Sequence, residues 1–260
     1  MNNFRIATYN IRMETPSDHD DLWTNRKADV MKIIQDYDFD IVGLQEVKGS
    51  QLNDIKELTD YDYFGFGRSN DEANEYNTIL YKKAKFNKLE SGTFWLSETL
   101  KYAEKPKRWD ADCSRICTWG QFSLKTTGKV FYVFNTHFDH MSEDARYHSA
   151  GILLNKLSSI GSDTPFFLTG DFNGNNNERF YQLLISKLVN VVEQSPHHIG
   201  PKVTCTGSGF NHELSWEKYQ CIDYIFTNAF SKIVKTMVIT DQFNRRYPSD
   251  HFPVCLDTIL

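Results

Sequence analysis

No stretch of this 260-residue chain approaches the ~20 consecutive apolar residues that a membrane-spanning helix needs, so stable membrane insertion is not expected. A basic surplus is also missing. Lys and Arg number 29 against 34 Asp and Glu, a formal net charge of −5. Phosphate neutralisation drives non-specific duplex binding, so proteins that coat nucleic acid are usually basic. The acidic balance argues against a promiscuous nuclease. It leaves room for a phosphate-bearing ligand held by a local basic patch or a bound cation. Cysteine is scarce: Cys113, Cys117, Cys205, Cys221 and Cys255 are odd in number and lack zinc-type CxxC spacing. Cys113 and Cys117 fit one helical face or chance. All five read as free thiols of a reducing compartment, the cytoplasm. The start, MNNFRIATYNIR, lacks the basic flank and long apolar core of a signal peptide. No Pro/Gly/Ser-rich linker, low-complexity tract or fixed-period repeat divides the chain, so residues 1–260 read as a single domain.

What is present is a core-forming sequence: 40% hydrophobic residues, with Phe and Tyr leading a 14% aromatic share. Length and composition suffice to bury a substantial core. Strands alternate with helices. FRIATYNI (4–11), DIVGLQEV (40–47), YNTILYK (76–82), KVFYVFNTHF (129–138), PFFLTGD (165–171), CIDYIFT (221–227) and FPVCLDTI (252–259) read as strands. ADVMKIIQDY (28–37) carries Val30, Ile33, Ile34 and Tyr37 at helical spacing. SQLNDIKEL (50–58) reads as a short helix opened by a capping Ser50, and 142–161 and 178–189 as further helices.

One regularity links these elements. Asn10, Glu46, His137, Asp171 and Asn173 fall at or just past the C-terminal ends of apolar strands. Asp223 sits inside one, and Asp250–His251 leads into the last. A single strand-end Asn or Asp is usually a turn former or a cap. A series is different, because polar groups on buried strands are costly unless paired or placed at a strand mouth. In open α/β sheets such strand ends are where ligands collect. The set points to one cleft assembled from distant segments.

The motifs TYNIR, GLQEV, NTHFDH, TGDFN, IDYIF and YPSDHFPV, in this order, resemble the endonuclease/exonuclease/phosphatase superfamily across residues 4 to 258. GTFWLSET, WDADCSRICTW and NTHFDHMSEDAR further resemble a bacterial branch of it. The resemblance implies a four-layer α/β sandwich, two mixed β-sheets face to face with helices outside, and the site at one edge. It implies that Glu46 binds magnesium with Asn10 and Asp250. His251, held by Asp223, would contact the scissile phosphate or activate water. Asp171 and Asn173 would position the nucleophile and the phosphate. His137 would be a second histidine oriented by Glu75, and Arg115 a phosphate-gripping arginine.

The chemistry suits those residue types. Phosphoester cleavage needs charge neutralisation, a deprotonated water and a stabilised leaving oxygen. Oxygen ligands suit Mg²⁺ or Mn²⁺ rather than zinc. Histidines can move protons near neutral pH. Residue types alone leave open which histidine is acid and which is base, and whether Asp171 is the true base. For substrate, Trp95, Trp109 and Trp119 with Lys101, Lys105, Lys107 and Arg108 can offer aromatic faces and cations, or serve as core and solvated surface in equal measure. Asp139, His140 and Arg146 are expected at the rim. The expected function is a Mg²⁺- or Mn²⁺-dependent phosphoesterase, first a phosphodiesterase on a nucleic-acid or nucleotide-like substrate. The alternatives are an enzyme of small organic phosphates or lipid headgroups, and a binding module that lost catalysis.

Overall fold

A computed structural model describes residues 3–69, 74–97, 109–161, 163–207, 210, 220–228 and 231–260. In chain order the elements are β1 (Asn3–Asn10), α1 (Trp23–Asp36), β2 (Ile41–Gln45), α2 (Gly49–Ile55), β3 (Tyr61–Phe64), β4 (Ile79–Lys82), β5 (Phe86–Trp95), β6 (Ile116–Leu124) and β7 (Val130–His137). They continue with α3 (Glu143–Ser158), β8 (Phe166–Asp171), α4 (Arg179–Ile185), β9 (Val189–Asn190), β10 (His198–Ile199), β11 (Asp223–Thr227), β12 (Lys232–Val238) and β13 (Val254–Ile259). One sheet has the order β10-β12-β13-β1-β2-β4-β3 and the other β5-β6-β7-β8-β11-β9. Both mix parallel and antiparallel pairs.

The four layers follow from where apolar side chains can hide. Between the sheets, Phe4, Phe86, Phe122, Phe131 and Phe167 pack edge-to-face and tilted. On the outer face of the first sheet, Trp23, Val30, Ile33 and Ile34 of α1 cover Tyr9, Val42 and Leu44. On the outer face of the second, Leu153 and Leu157 of α3 and Phe180 and Leu184 of α4 cover Phe134, Leu168 and Phe226. This is the expected α/β sandwich.

Near the site the interior turns polar. Asn135 of β7 donates to the carbonyls of Leu44 (2.8 Å) and Thr78 (3.1 Å) in the opposite sheet and accepts from Gln45 Nε2 (2.6 Å) and Thr169 Oγ1 (3.2 Å). Gly43 makes room for it, since a Cβ there would lie 2.4 Å from Thr169 Oγ1 and 2.5 Å from Asn135 Oδ1. Asn135 thus spaces the two sheets whose ends carry the polar residues. Asn135→Ala is expected to cost on the order of 3 kcal/mol, because it strips partners from several buried groups. Denaturant unfolding measures it; a loss under about 1 kcal/mol, the scale of an ordinary surface change, would deny Asn135 this role.

Several local expectations shift. Ser50 does not cap α2: Lys48 occupies that position, Gln51 Oε1 accepts its N–H (3.0 Å), and Ser50 Oγ bonds Glu14 instead (2.6 Å). Asp223 opens β11 rather than interrupting a strand, so it stands at the sheet's mouth. Cys113 lies in a loop and Cys117 in β6, so no helical face joins them. β5 escaped the sequence reading because it is an edge strand: Asn87 to Ser91 are all exposed, and no apolar alternation marks it. The five cysteines are free. No described helix is long and apolar enough to cross a membrane.

Candidate active site

Strand register assembles the site. β1 runs parallel to β2 with Asn10 opposite Gln45, so Glu46 emerges beside Asn10. In the second sheet His137 pairs with Asp171, and Asp171 with Asp223, a single row across β7, β8 and β11. Asp250 and His251 enter from the segment before β13. Glu46 and Asn173 both hold left-handed backbone, φ 61° and 50°. For non-glycine residues this is a costly conformation, of the kind found where geometry serves a function.

Asn10 is the hub. Its Nδ2 donates to Glu46 Oε1 (3.0 Å) and to Asp171 Oδ2 (2.9 Å), while its Oδ1 accepts the Arg12 N–H (2.9 Å). Asn10 therefore turns nitrogen, not oxygen, toward the carboxylates. In this arrangement Asn10 acts as a positioning amide between two acids. Glu46 Oε2 accepts the Met13 N–H (3.0 Å). Burial opposes charge on Glu46, yet these two hydrogen bonds hold its pKa below the ordinary value. Asp171 is fully buried. Burial first, and the charge of Asp223 next, push it up to about 7 against the pull of His251. Asp250 is raised by burial and by the neighbouring Glu46 charge.

The two histidines diverge. His251 Nδ1 meets Asp223 Oδ2 at 2.9 Å, and its Nε2 lies 3.7 Å from Asp171 Oδ2. Burial works against its charge, but Asp223 and Asp171 outweigh it and raise its pKa well above normal. His137 Nε2 faces Asn173 Nδ2 at 2.8 Å and Asp171 Oδ2 at 3.5 Å. Burial, with Arg115 and Arg68 nearby, lowers its pKa well below normal. The expected Glu75–His137 pair is absent: Glu75 Oε1 accepts from Arg68 Nη2 at 2.5 Å, since a buried carboxylate gains more from a guanidinium than from a neutral imidazole.

Around this centre, a cleft of about 490 Å³ collects Glu46, His137, Asp171, Asn173, Asp250 and His251 with Arg12, Arg68, Glu75, Arg115 and His140. Asp139 is not at the rim. It is buried and accepts the N–H groups of Asp112, Cys113, Met141 and Ser142, tying two loops together. Arg146 is likewise buried, on Glu178 (2.7 Å) and the Asp139 carbonyl (2.9 Å). Trp109 stands outside the cleft, stacked on His148 of α3 at 4.4 Å. Trp95 is core, and Trp119 packs against the core and Lys156. Lys101, Lys105, Lys107 and Arg108 fall outside the described residues. The sequence reading missed Arg12, Arg68 and Cys205, whose Sγ is 3.5 Å from His251 Nε2. Arg12 had a signal, two residues past Asn10 in TYNIR; Arg68 and Cys205 had none.

A model of the Endonuclease/Exonuclease/phosphatase family matches residues 7–251. The chain belongs to this family. A solved family member from Bacteroides vulgatus superposes with a TM-score of 0.93 at 34% identity, covering all of both chains. The mannosyl-6-phosphatase Bt3783 of Bacteroides thetaiotaomicron gives 0.92 at 35% identity, over 99% of this chain and 100% of that one. An uncharacterized protein of Acanthamoeba polyphaga mimivirus, L388, is 29% identical over 163 residues; that match spans 58% of this chain and 59% of L388. As a family member, the protein is a phosphoester hydrolase.

The family implies a divalent metal, and the residues present fit one. Glu46 and Asp171 offer carboxylate oxygens within 4.8 Å of each other and of a His137 nitrogen, and Asp250 lines the same cleft. Their charges are disfavoured there: burial first and Asp223 next raise Asp171, and burial first and Glu46 next raise Asp250. The arginine beside them, Arg12, is 4.0 Å from Asp250 and already bonded to Asp18 at 2.9 Å. A hard divalent cation resolves that imbalance with oxygen donors.

Proposed function

We propose that this protein is a Mg²⁺- or Mn²⁺-dependent phosphomonoesterase acting on a small, sugar-like organic phosphate. The carrying observation is the cleft. At about 490 Å³ it matches one small ligand, its lining includes Glu46, His137, Asp171, Asn173, Asp250 and His251, and its described arginines are Arg12, Arg68 and Arg115 alone. The likeness to a mannosyl-6-phosphatase over nearly the whole chain supports the same reading. For the nucleic-acid-like substrate expected first, the segment 92–119 was a candidate source of aromatic faces. Its described tryptophans supply no stacking platform at the cleft.

In this reading Glu46 and Asp250 would hold the cation, which when bound would supply Lewis-acid stabilisation of the phosphoryl oxygens. His251, kept charged by Asp223, would donate to the phosphoryl group. Asn173 presents its amide beside the neutral His137. Asp171 Oδ2, between the two imidazoles, is the oxygen placed to take a proton from water. The free thiols fit a reducing compartment such as the cytoplasm.

A substrate panel tests this with Mg²⁺ or Mn²⁺: hexose 6-phosphates, p-nitrophenyl phosphate, nucleotides, single-stranded and duplex DNA, RNA, and phosphoinositides. Inorganic phosphate should be released fastest from the hexose phosphates. Preferred cleavage of DNA or RNA would overturn the reading, and no turnover of any member would restore the binding module.

A further inference from the structure

One part of the cleft wall is two arginines, Arg68 and Arg115, beside the thiol of Cys113. Arg68 is anchored from behind. Its Nη2 donates to Glu75 Oε1 (2.5 Å), and its backbone N–H to the Glu75 carbonyl (2.9 Å). Among the described residues, Nη1 meets Cys113 Sγ alone, at 3.1 Å, a weak acceptor. Arg115, about nine-tenths buried, touches His140 Nδ1 through Nη2 at a long 3.3 Å, and its Nε is buried with no hydrogen-bond partner. Both guanidiniums line the cleft that holds His137 and Asp171. Two forks with underused donors therefore face one small cavity.

We propose that Arg68, together with Arg115, makes the enzyme selective for terminal phosphate monoesters over diesters, and that Arg68 is the specificity-determining member. The inference rests on the phosphomonoesterase reading above. A monoester carries close to two negative charges and three strong acceptor oxygens at neutral pH. A diester carries one charge and replaces an acceptor oxygen with an ester substituent. Counting Arg68, Arg115 and Glu75, the wall holds one net positive charge, matching the extra charge of the monoester. Asp112 at the mouth is exposed, where water and salt screen it. The planar guanidinium fork suits phosphoryl oxygens bidentately. The same fork would meet the second ester group of a diester with donors that it cannot use. Glu75, expected from the sequence to orient His137, fixes the direction of Arg68 instead.

The test compares p-nitrophenyl phosphate with bis(p-nitrophenyl) phosphate in the parent, Arg68→Gln and Arg68→Lys. In Arg68→Gln, kcat/KM for the monoester should fall by roughly 10²-fold, the scale of a lost charged bidentate contact. The diester should lose far less, so that the monoester-to-diester ratio drops at least about tenfold. Inhibition by inorganic phosphate should weaken in parallel. Arg68→Lys, which keeps the charge without the fork, should recover part of the ratio, and it serves alone if the glutamine variant fails to fold. Equal losses on both substrates with a lowered Tm would overturn the proposal and make Arg68 a support for the wall. A parent enzyme that turns over the diester alone would instead sink the monoesterase reading and this inference with it. An unchanged ratio in a monoester-active parent sinks the inference by itself.

Discussion

Glu46→Gln is expected to reduce Mg²⁺-supported turnover by roughly 10³-fold or more while the protein stays folded, because removing the charge removes the cation's Lewis-acid stabilisation. Glu46 sits at φ 61° just past β2, and its two oxygens are fixed by Asn10 Nδ2 and the Met13 N–H. Glutamine keeps that shape and gives up one of the two acceptors, at a cost of about 1–3 kcal/mol. Relief of the repulsion that Glu46 exerts on Asp250 works in the opposite direction. In EDTA, the Tm of variant and parent should therefore lie close together. With metal, they should separate, since a bound ion stabilises only the protein that binds it. High Mn²⁺ should rescue part of the activity. A variant as active as the parent at limiting Mg²⁺ would remove Glu46 from the metal site.

His251→Ala is expected to lower kcat by roughly 10²-fold or more, the scale of lost acid–base or phosphoryl stabilisation. Asp223→Asn should forfeit a large share of the same energy. Asp223 Oδ2 is 2.9 Å from His251 Nδ1, and Asp223 is itself positioned by Thr204 Oγ1, which accepts its backbone N–H at 3.0 Å. The histidine is further pinned by Ser249 Oγ, which accepts the His251 N–H (3.2 Å) and donates to the Asn10 carbonyl (2.7 Å). Acid and imidazole act as one unit, so the double variant should fall little below the worse single one. Fully additive losses would mean that Asp223 supports the fold and not the histidine.

The opposed environments of His137 and His251 explain why two histidines so close can differ in charge. His251 looks onto Asp223 and Asp171. His137 looks onto an amide and lies within reach of the charges of Arg68 and Arg115. Pairs of titratable groups driven apart in this way commonly divide proton-handling roles.

Much of this protein was legible in the residue order. Strand-end polar residues marked Asn10, Glu46, His137, Asp171, Asn173, Asp223 and Asp250–His251; Glu46, His137, Asp171, Asn173, Asp250 and His251 line one cleft, and Asn10 and Asp223 stand buried behind it, bonded to Glu46 and Asp171 and to His251. They were readable because a polar group beside a buried apolar run is energetically conspicuous, and because their positions at strand ends depend only on local alternation. The family motifs carried the two-sheet architecture, which alternation alone leaves undetermined.

Partner choice was decided by the tertiary structure. Glu75 binds Arg68 and not His137; Asn10 bridges Glu46 and Asp171; Asp139 and Arg146 are buried loop ties and not rim groups. Trp109 stacks on α3 outside the cleft. Each outcome is a competition among groups far apart in the chain, settled by desolvation and by which guanidinium, amide or backbone N–H lies nearest. No local sequence pattern encodes that competition, because side-chain geometry across two packed sheets depends on register and on the ~10 Å spacing between them.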